Sequence, residues 1–341
     1  MREITRHIER ISKIMTPMDA VGKFVPDGCE LAVGGMHMHN NPMAVIREIV
    51  KEGRKIDTLI CSPSASVNAD ILIGAGLVSE ILAPYVGFEH LGVSHNYRKS
   101  AETGSLRVRE CDAGMIIYGL RAGAAGIPFI PLPAGIDKSD IPRINPEDYR
   151  RANNPFDGSD VLCTKAIKPD TAVIHCQKSD AFGNAVFEGC VFADLEMIKA
   201  SENVIILTEE LVDDFSPAVI EPAGFEVAAM PSVDTHCSHR NDADDAFSCE
   251  YAVRTRKYGA VIPGMLVDAV VCVPFGCHPT SSHGRYDYDE MHLKEYITAS
   301  ETDFNAYLEK YVYGPADHME YLERVGGLER LNRLTIQGRT F

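Results

Sequence analysis

The chain has 341 residues, 45% of them hydrophobic and 24% charged, and a formal net charge of −16. That is enough apolar material for one large core or two smaller ones, and an acidic balance without a Lys/Arg block excludes general nucleic-acid or anionic-membrane binding, which needs clustered cations. No stretch approaches the roughly 18 apolar residues of a bilayer span, and the ten cysteines are scattered among strand-like runs without a C-x-x-C pair, which predicts buried reduced thiols in a cytoplasmic protein.

The N-terminal segment is charged and helically periodic, with Ile4, Ile8 and Ile11 on one face, and it lacks the apolar centre of a signal peptide. A second helix is announced by Thr16 as N-cap, Pro17 at the first helical position and Asp19 beside the free N–H groups. Short apolar runs then alternate with helical patterns. Strands are predicted over 30–35, 57–62, 80–85, 105–110, 128–133, 160–167, 171–176, 203–210 and 268–274. Helices are predicted over 42–53, 68–76, 114–126, 194–201, 290–300 and 302–314. The alternation predicts an α/β fold, an open and mostly parallel sheet with helices on both faces, in a single domain over 1–341. Two polar stretches, at about 135–160 and 232–260, read as surface insertions.

Several loops carry residue types that can do chemistry. The stretch DGCELAVGGMHMHNNP (27–42) ends a buried strand in Gly34 and Gly35 and opens a helix near Pro42 with Asn41 as expected N-cap. Such a strand-to-helix loop offers backbone N–H groups to an anion or a developing oxyanion. His37 and His39 alternate, so an extended loop points them to opposite sides, away from a shared metal. In IHCQKSDAFGNAVFEG (174–189), Asp180 to Asn184 has the composition of a tight hairpin turn, and His175 and Gln177 lie at the strand end before it. Cys277, His278, Ser281, Ser282 and His283 follow another buried strand, but local adjacency is not a triad and no G-x-S-x-G occurs, so a turn lining a pocket is expected. His236, Cys237, His239, Asp242, Asp244, Asp245 and Cys249 match neither a zinc spacing nor a calcium loop, and no metal is expected. The glycines of GLRAGAAG (119–126) lie inside a helical pattern, which favours a close helix crossing over dinucleotide binding.

Taken together, these loops resemble the family I coenzyme A transferases. The N-terminal fingerprint of that family is matched by Asp27, Gly28, Leu31, Ala32, Val33, Gly34, Gly35 and Pro42, with Met36 where Phe is usual and Asn40 where Gly is usual. LRAGAAGIPFIP and KSDAFGN resemble further passages of the family, and PGMLVDAVVCVPFGCHPTSSHGRYDYD and ADHMEYLERVGGLERL look like its glutaconate-type A chains. The resemblance runs from about Met15 to Leu331. It implies the A-type component of a hetero-oligomer whose B subunit donates the attacking glutamate. Coenzyme A is then a substrate, moved between an acyl-CoA and a small or medium (di)carboxylate. The A-type chain would cover the site and offer N–H donors to the thioester oxygen, with Gly34, Gly35, Asn40 and Asn41 as a backbone-rich wall and Ser94 as a substrate contact. Arg98, Lys99 and Arg121 read as solvated surface charges. One position departs from the family. Where relatives carry Gln, or Glu in related ring-opening hydrolases, this chain has Ala113, leaving Glu110, Asp112 or a backbone N–H such as that of Gly114 as substitutes. The alternatives are a CoA-dependent C–C bond hydrolase with Glu110 or Asp112 as base, and a non-catalytic acyl-CoA-binding subunit.

Overall fold

Thr16 caps the first described helix as its sequence predicts: its hydroxyl accepts the Asp19 N–H and α1 runs Pro17–Phe24. The computed structural model describes residues 11–188, 191–213 and 261–335. In it the strands are β1 (Cys29–Val33), β2 (Ile56–Cys61), β3 (Val78–Leu82), β4 (Arg107–Arg109), β5 (Phe129–Pro131), β6 (Tyr149–Asn153), β7 (Asp160–Lys165), β8 (Thr171–Ser179), β9 (Ala185–Val186), β10 (Asn203–Leu211), β11 (Val261–Ile262) and β12 (Ala269–Cys272). The other helices are α2 (Met43–Glu52), α3 (Val67–Gly74), α4 (His95–Thr103), α5 (Ala113–Ala124), α6 (Ile141–Ile144), α7 (Asp194–Ala200), α8 (Glu290–Thr302), α9 (Phe304–Leu308), α10 (His318–Arg324) and α11 (Gly327–Leu331).

Seven strands lie parallel in the order β12-β10-β8-β1-β2-β3-β4. β9 folds back antiparallel on the end of β8, and β11 pairs with β9. The chain therefore steps outward from β1 to β4, returns to the other side of β1, and steps outward again from β8 to β12. The reversal falls between β1 and β8, and in open α/β sheets ligands gather in the crevice at the carboxyl ends of the two strands where it occurs. Side chains alternate across β1: Leu31 and Val33 join the core under α1, α2, α3 and α8 to α11, whereas Ala32 joins the core under α5 and α7. Burial on both faces is why these strands read as continuous apolar runs.

The expected open, mostly parallel sheet with helices on both faces is what the chain forms. Two expected strands do not enter it. β5 and β7 build a separate antiparallel sheet with β6, ordered β5-β7-β6. Pro128 and Pro131 bound the short β5, and a residue without an N–H cannot serve a central ladder. The polar stretch 135–160 contributes α6, β6 and the turn into β7 to that sheet. Tyr149 of β6 and Leu162 of β7 join the apolar core under α5 and α7, and ionic contacts add to that attachment. Arg109, at the end of β4, bonds Glu80 of β3 at 2.9 Å and Asp148 at 2.6 Å, and Lys165 of β7 reaches Asp148 at 2.6 Å. α4 was not anticipated, and the predicted 302–314 helix is α9 continued by a π-turn over Glu309–Tyr313. On α5, Gly119 and Gly123 admit Ile167 and the α7 residue Ala200, where a Cβ on Gly123 would lie 2.0 Å from the Ile167 carbonyl oxygen. The start of the N-terminal helical pattern (1–10) and the 232–260 stretch, with His236, Cys237, His239 and their acidic neighbours, lie outside the described residues.

Candidate active site

The loop leaving β1 sits at the reversal crevice, and it is built from below by buried polar side chains. Gly35 takes φ +89°, a conformation an L side chain rarely adopts. Its N–H donates to Asp194 Oδ1 at 3.0 Å, and a Cβ on Gly34 would lie 2.3 Å from the same oxygen. The two glycines thus let the backbone settle directly onto Asp194. Burial pushes that carboxyl's pKa up, and the N–H groups of Gly35 and Phe192 pull it back. Asn68 Nδ2 holds the Gly34 carbonyl at 3.3 Å. Asn41 Nδ2 donates to the His37 carbonyl at 2.9 Å and to Ser66 Oγ at 3.1 Å. Asn41, Ser66 and Asn68 are fully buried. Asn41 stands just before α2 but its side chain makes no cap; Pro42 occupies the N-cap position.

The glycine N–H groups expected to face a thioester are engaged inside the protein. Gly34 N–H bonds the Val173 carbonyl at 3.0 Å, and Gly35 N–H is held by Asp194. Their part is close approach and backbone shape. Further along, Met36 and His39 bond each other's carbonyls at 2.9 Å, His37 N–H bonds the Ser64 carbonyl at 2.7 Å, and Asn40 N–H bonds the Ser281 carbonyl at 2.7 Å. Among the described residues, the N–H groups of Met38 and Asn41 in this loop make no hydrogen bond.

Three segments singled out in the sequence meet here. Asn40, at φ 56°, accepts Gln177 Nε2 at 3.0 Å and the His283 N–H at 3.1 Å through its Oδ1. Gln177 Oε1 in turn accepts the Glu188 N–H at 2.8 Å. The 276–286 loop lies alongside, with the Ser281 N–H on the Met38 carbonyl at 2.9 Å and His39 Nδ1 at 2.6 Å from Ser281 Oγ. His37 goes elsewhere, to Glu89 Oε1 at 2.6 Å, so the two histidines do not converge. Burial, with the neighbouring histidines adding to it, lowers the His39 pKa and keeps its ring neutral. The 180–184 turn is a hairpin with Gly183 at φ +89°, its Asp180 Oδ1 accepting the N–H groups of Phe182 and Asn184. Beneath it, His175 Nε2 lies 3.3 Å from Glu209 Oε1, which also accepts the Tyr286 hydroxyl at 2.5 Å. His278 is buried and bonded to Tyr321 and Asp289, as a structural histidine.

Among the described residues, the remaining candidates make no hydrogen bond to this wall. Ser94 is 1% exposed at the start of α4, and its Oγ has no hydrogen-bond partner among the described residues. Asp112 is the N-cap of α5, its Oδ1 accepting the Met115 N–H at 2.9 Å. Glu110 is exposed, its carbonyl accepting Asn145 Nδ2 at 2.6 Å. Gly114 is half-buried in the first turn of α5 near Ile136. Arg98 and Arg121 pair with Glu102 and Glu196 on the surface. Asp194, Ser66 and Asn68 escape a reading of the sequence. Asn68 does carry a signal, a polar residue within a helix buried on every side; Asp194 looks like an ordinary acid in a first helical turn.

The Coenzyme A transferase family model matches residues 14–220. The chain is 32% identical over 330 residues to an uncharacterized protein of Archaeoglobus fulgidus, covering 96% of this chain and 65% of that protein. It is 29% identical over 345 residues to the A-type subunit of glutaconate CoA-transferase from Acidaminococcus fermentans, covering 96% of each. The crystal structure of glutaconate coenzyme A-transferase from that organism superposes with a TM-score of 0.76 over 95% of this chain and 96% of the other, at 29% identity. A glycine loop over the sheet's reversal, a family match across more than half the residues and end-to-end similarity to one component of a known transferase agree: this chain belongs to the coenzyme A transferase family.

Proposed function

We propose that this chain is the A-type component of a hetero-oligomeric enzyme that moves coenzyme A between an acyl-CoA and a small or medium carboxylate or dicarboxylate. The attacking glutamate is supplied by a B subunit. Exchange between two carboxylates is close to energy-neutral, so a third carboxylate as relay is the economical chemistry, and the task of the A-type chain is to shape and cover the site. The observation that carries this reading is the loop at the β1/β8 crevice, a wall of backbone fixed from beneath by Asp194, Asn68, Ser66 and Gln177. In this reading Gly34 and Gly35 set its shape, Asn40 and Asn41 brace it, and the unengaged N–H groups of Met38 and Asn41 are the donors left for an acyl oxygen. Ser94 Oγ serves the acyl group, Gly114 opens α5 toward the substrate, and Asp112 orients that helix, with Glu110 as accessory acid. The described cysteines are free thiols, which supports a reducing cytoplasmic setting. Among the described residues no helix is long and apolar enough to cross a membrane.

The test is co-expression with a B-type subunit and an assay of CoA exchange between acetyl-CoA and a panel of mono- and dicarboxylates. Exchange that disappears when the partner's glutamate is replaced supports the proposal. Release of free CoA with a ring-opened acid would move the chain to the hydrolases, and exchange by the isolated chain would overturn the division of labour.

A further inference from the structure

Beneath the hairpin and the 276–286 loop, three side chains converge that the transferase chemistry leaves unused. Across the β8–β10 ladder His175 pairs with Leu207, so His175 and Glu209, two residues beyond Leu207, rise on one face of the sheet. Gly276 brings the loop after β12 down onto that face: a Cβ there would lie 3.1 Å from Leu207 Cδ2. The next residue, Cys277, is held by its N–H on the Tyr286 hydroxyl at 3.0 Å. One ligand atom each of His175, Glu209 and Cys277 lies within 4.8 Å of the other two. His175 and Cys277 are 1% and 0% exposed, and the Glu209 side chain is 6% exposed.

The cluster is short of partners. Both ring nitrogens of His175 are buried without a hydrogen bond among the described residues, and Nε2 comes only within 3.3 Å of Glu209 Oε1. The Glu209 carboxylate accepts the Tyr286 hydroxyl at 2.5 Å, and no Lys or Arg among the described residues pairs with it. A buried carboxylate set against a buried thiol calls for a cation. Ligand atoms about 2.0–2.3 Å from a tetrahedral zinc lie roughly 3.3–3.7 Å apart. The His175–Glu209 distance already has this value, and Cys277 Sγ needs a shift on the order of an ångström to match it. A thiolate, an imidazole and a carboxylate together select zinc or a neighbouring transition metal over calcium or magnesium, which take oxygen ligands. The same trio is unsuited to nucleophilic catalysis. A catalytic thiol must reach substrate, whereas Cys277 is enclosed, and burial, with Glu209 adding to it, pushes its thiol well above the ordinary range.

We propose that His175, Glu209 and Cys277 bind a structural zinc ion that ties β8, β10 and the 276–286 loop together under the crevice, with Tyr286 orienting the Glu209 carboxylate. As Cys277 Sγ binds the metal its proton leaves to solvent, and thiolate and carboxylate together balance the two positive charges. The ion holds the loop whose Ser281 braces Met38 and Asn40. Its ligands come from segments far apart in the chain, which is why no spacing motif announces them. The probe is cobalt(II), followed by zinc, added to the chelator-treated full chain produced with a B-type subunit. Cobalt should give the visible bands of a tetrahedral site and a thiolate-to-metal charge-transfer band, and zinc should displace it. Cys277→Ser should abolish the charge-transfer band. His175→Gln should lower cobalt affinity by on the order of a hundredfold, and Tyr286→Phe by about tenfold. Cys237→Ser, in the 232–260 stretch, should leave the band in place. Zinc should raise the thermal midpoint of the wild-type complex in a concentration-dependent way and leave that of Cys277→Ser unmoved. No uptake of cobalt or zinc by the wild-type complex at micromolar metal, a band that survives Cys277→Ser, or one that Cys237→Ser removes overturns the inference. The wild-type titration needs no substitution, so it decides even where a variant fails to fold, and none of these readouts uses CoA exchange.

Discussion

Gly35 combines a positive φ with contact on two sides: a Cβ there would lie 2.2 Å from Asn41 Oδ1 and 2.8 Å from the Asn40 carbonyl oxygen. Gly35→Ala should therefore displace the loop rather than unfold the sheet. We expect a stability cost of about 1–3 kcal/mol in urea titration and a loss of CoA exchange on the order of a hundredfold, the usual penalty for an ångström of misplacement. Asp194 gives a complementary test. Asp194→Ala strands the Gly35 N–H in a buried setting, takes the acceptor from the N–H of the exposed Phe192, and should lower stability by about 1–3 kcal/mol. Asp194→Asn keeps an acceptor oxygen for Gly35 and should cost clearly less. Equal losses in the two variants would mean that the acceptor is not what matters.

Among the elements, the attachment of the small β5-β7-β6 sheet is the most exposed to a single change. Arg109 is 11% exposed and sits between Glu80 and Asp148, which are 13% and 6% exposed. Arg109→Met would remove the cation these carboxylates share and leave Glu80 to Arg107 and Asp148 to Lys165, and about 1–3 kcal/mol should be lost. Hydrogen exchange should report it first in β6 and β7. The helical block after β12 has a pH signature of its own. His278 and His292 are fully buried, and burial lowers both pKa values, with Asp289 opposing. The unfolded chain binds protons near the ordinary histidine value of about 6.5 while the folded chain does not, so stability is complete above that value and falls as pH drops below it. Urea midpoints should decline from pH 7 to 5, and His292→Phe should flatten the decline. These elements also mark what the sequence could convey. Period and β-branching located the central strands, because each is buried on both faces. The hairpin after β8 was legible from Asp180 and Gly183, and the α5 crossing from its glycines. Assignment of β5 and β7 to a second sheet was not legible, since partner choice depends on contacts between segments far apart in the chain. Asp194 was hidden for the same reason, lying 159 residues from the glycine whose N–H it holds.

At the scale of the whole molecule, the seven parallel strands present all their carboxyl ends to one edge. Size-exclusion chromatography with light scattering should find the chain joined to its B-type partner when the two are co-expressed.

The pairing of Asn40 with Ser281, and of Ser281 with Met38, also has a consequence in time. His39 and Ser281 touch across 242 residues of sequence. At roughly 5–20 residues per second, a ribosome needs on the order of tens of seconds to deliver the second half of that contact after the first has emerged. During that interval β1 to β4 can already have closed into a sheet, while the Met38 carbonyl and the Asn40 side chain still face water. The crevice is thus among the last parts of the molecule to be finished, and a nascent or truncated chain presents an edge of sheet without a site on it.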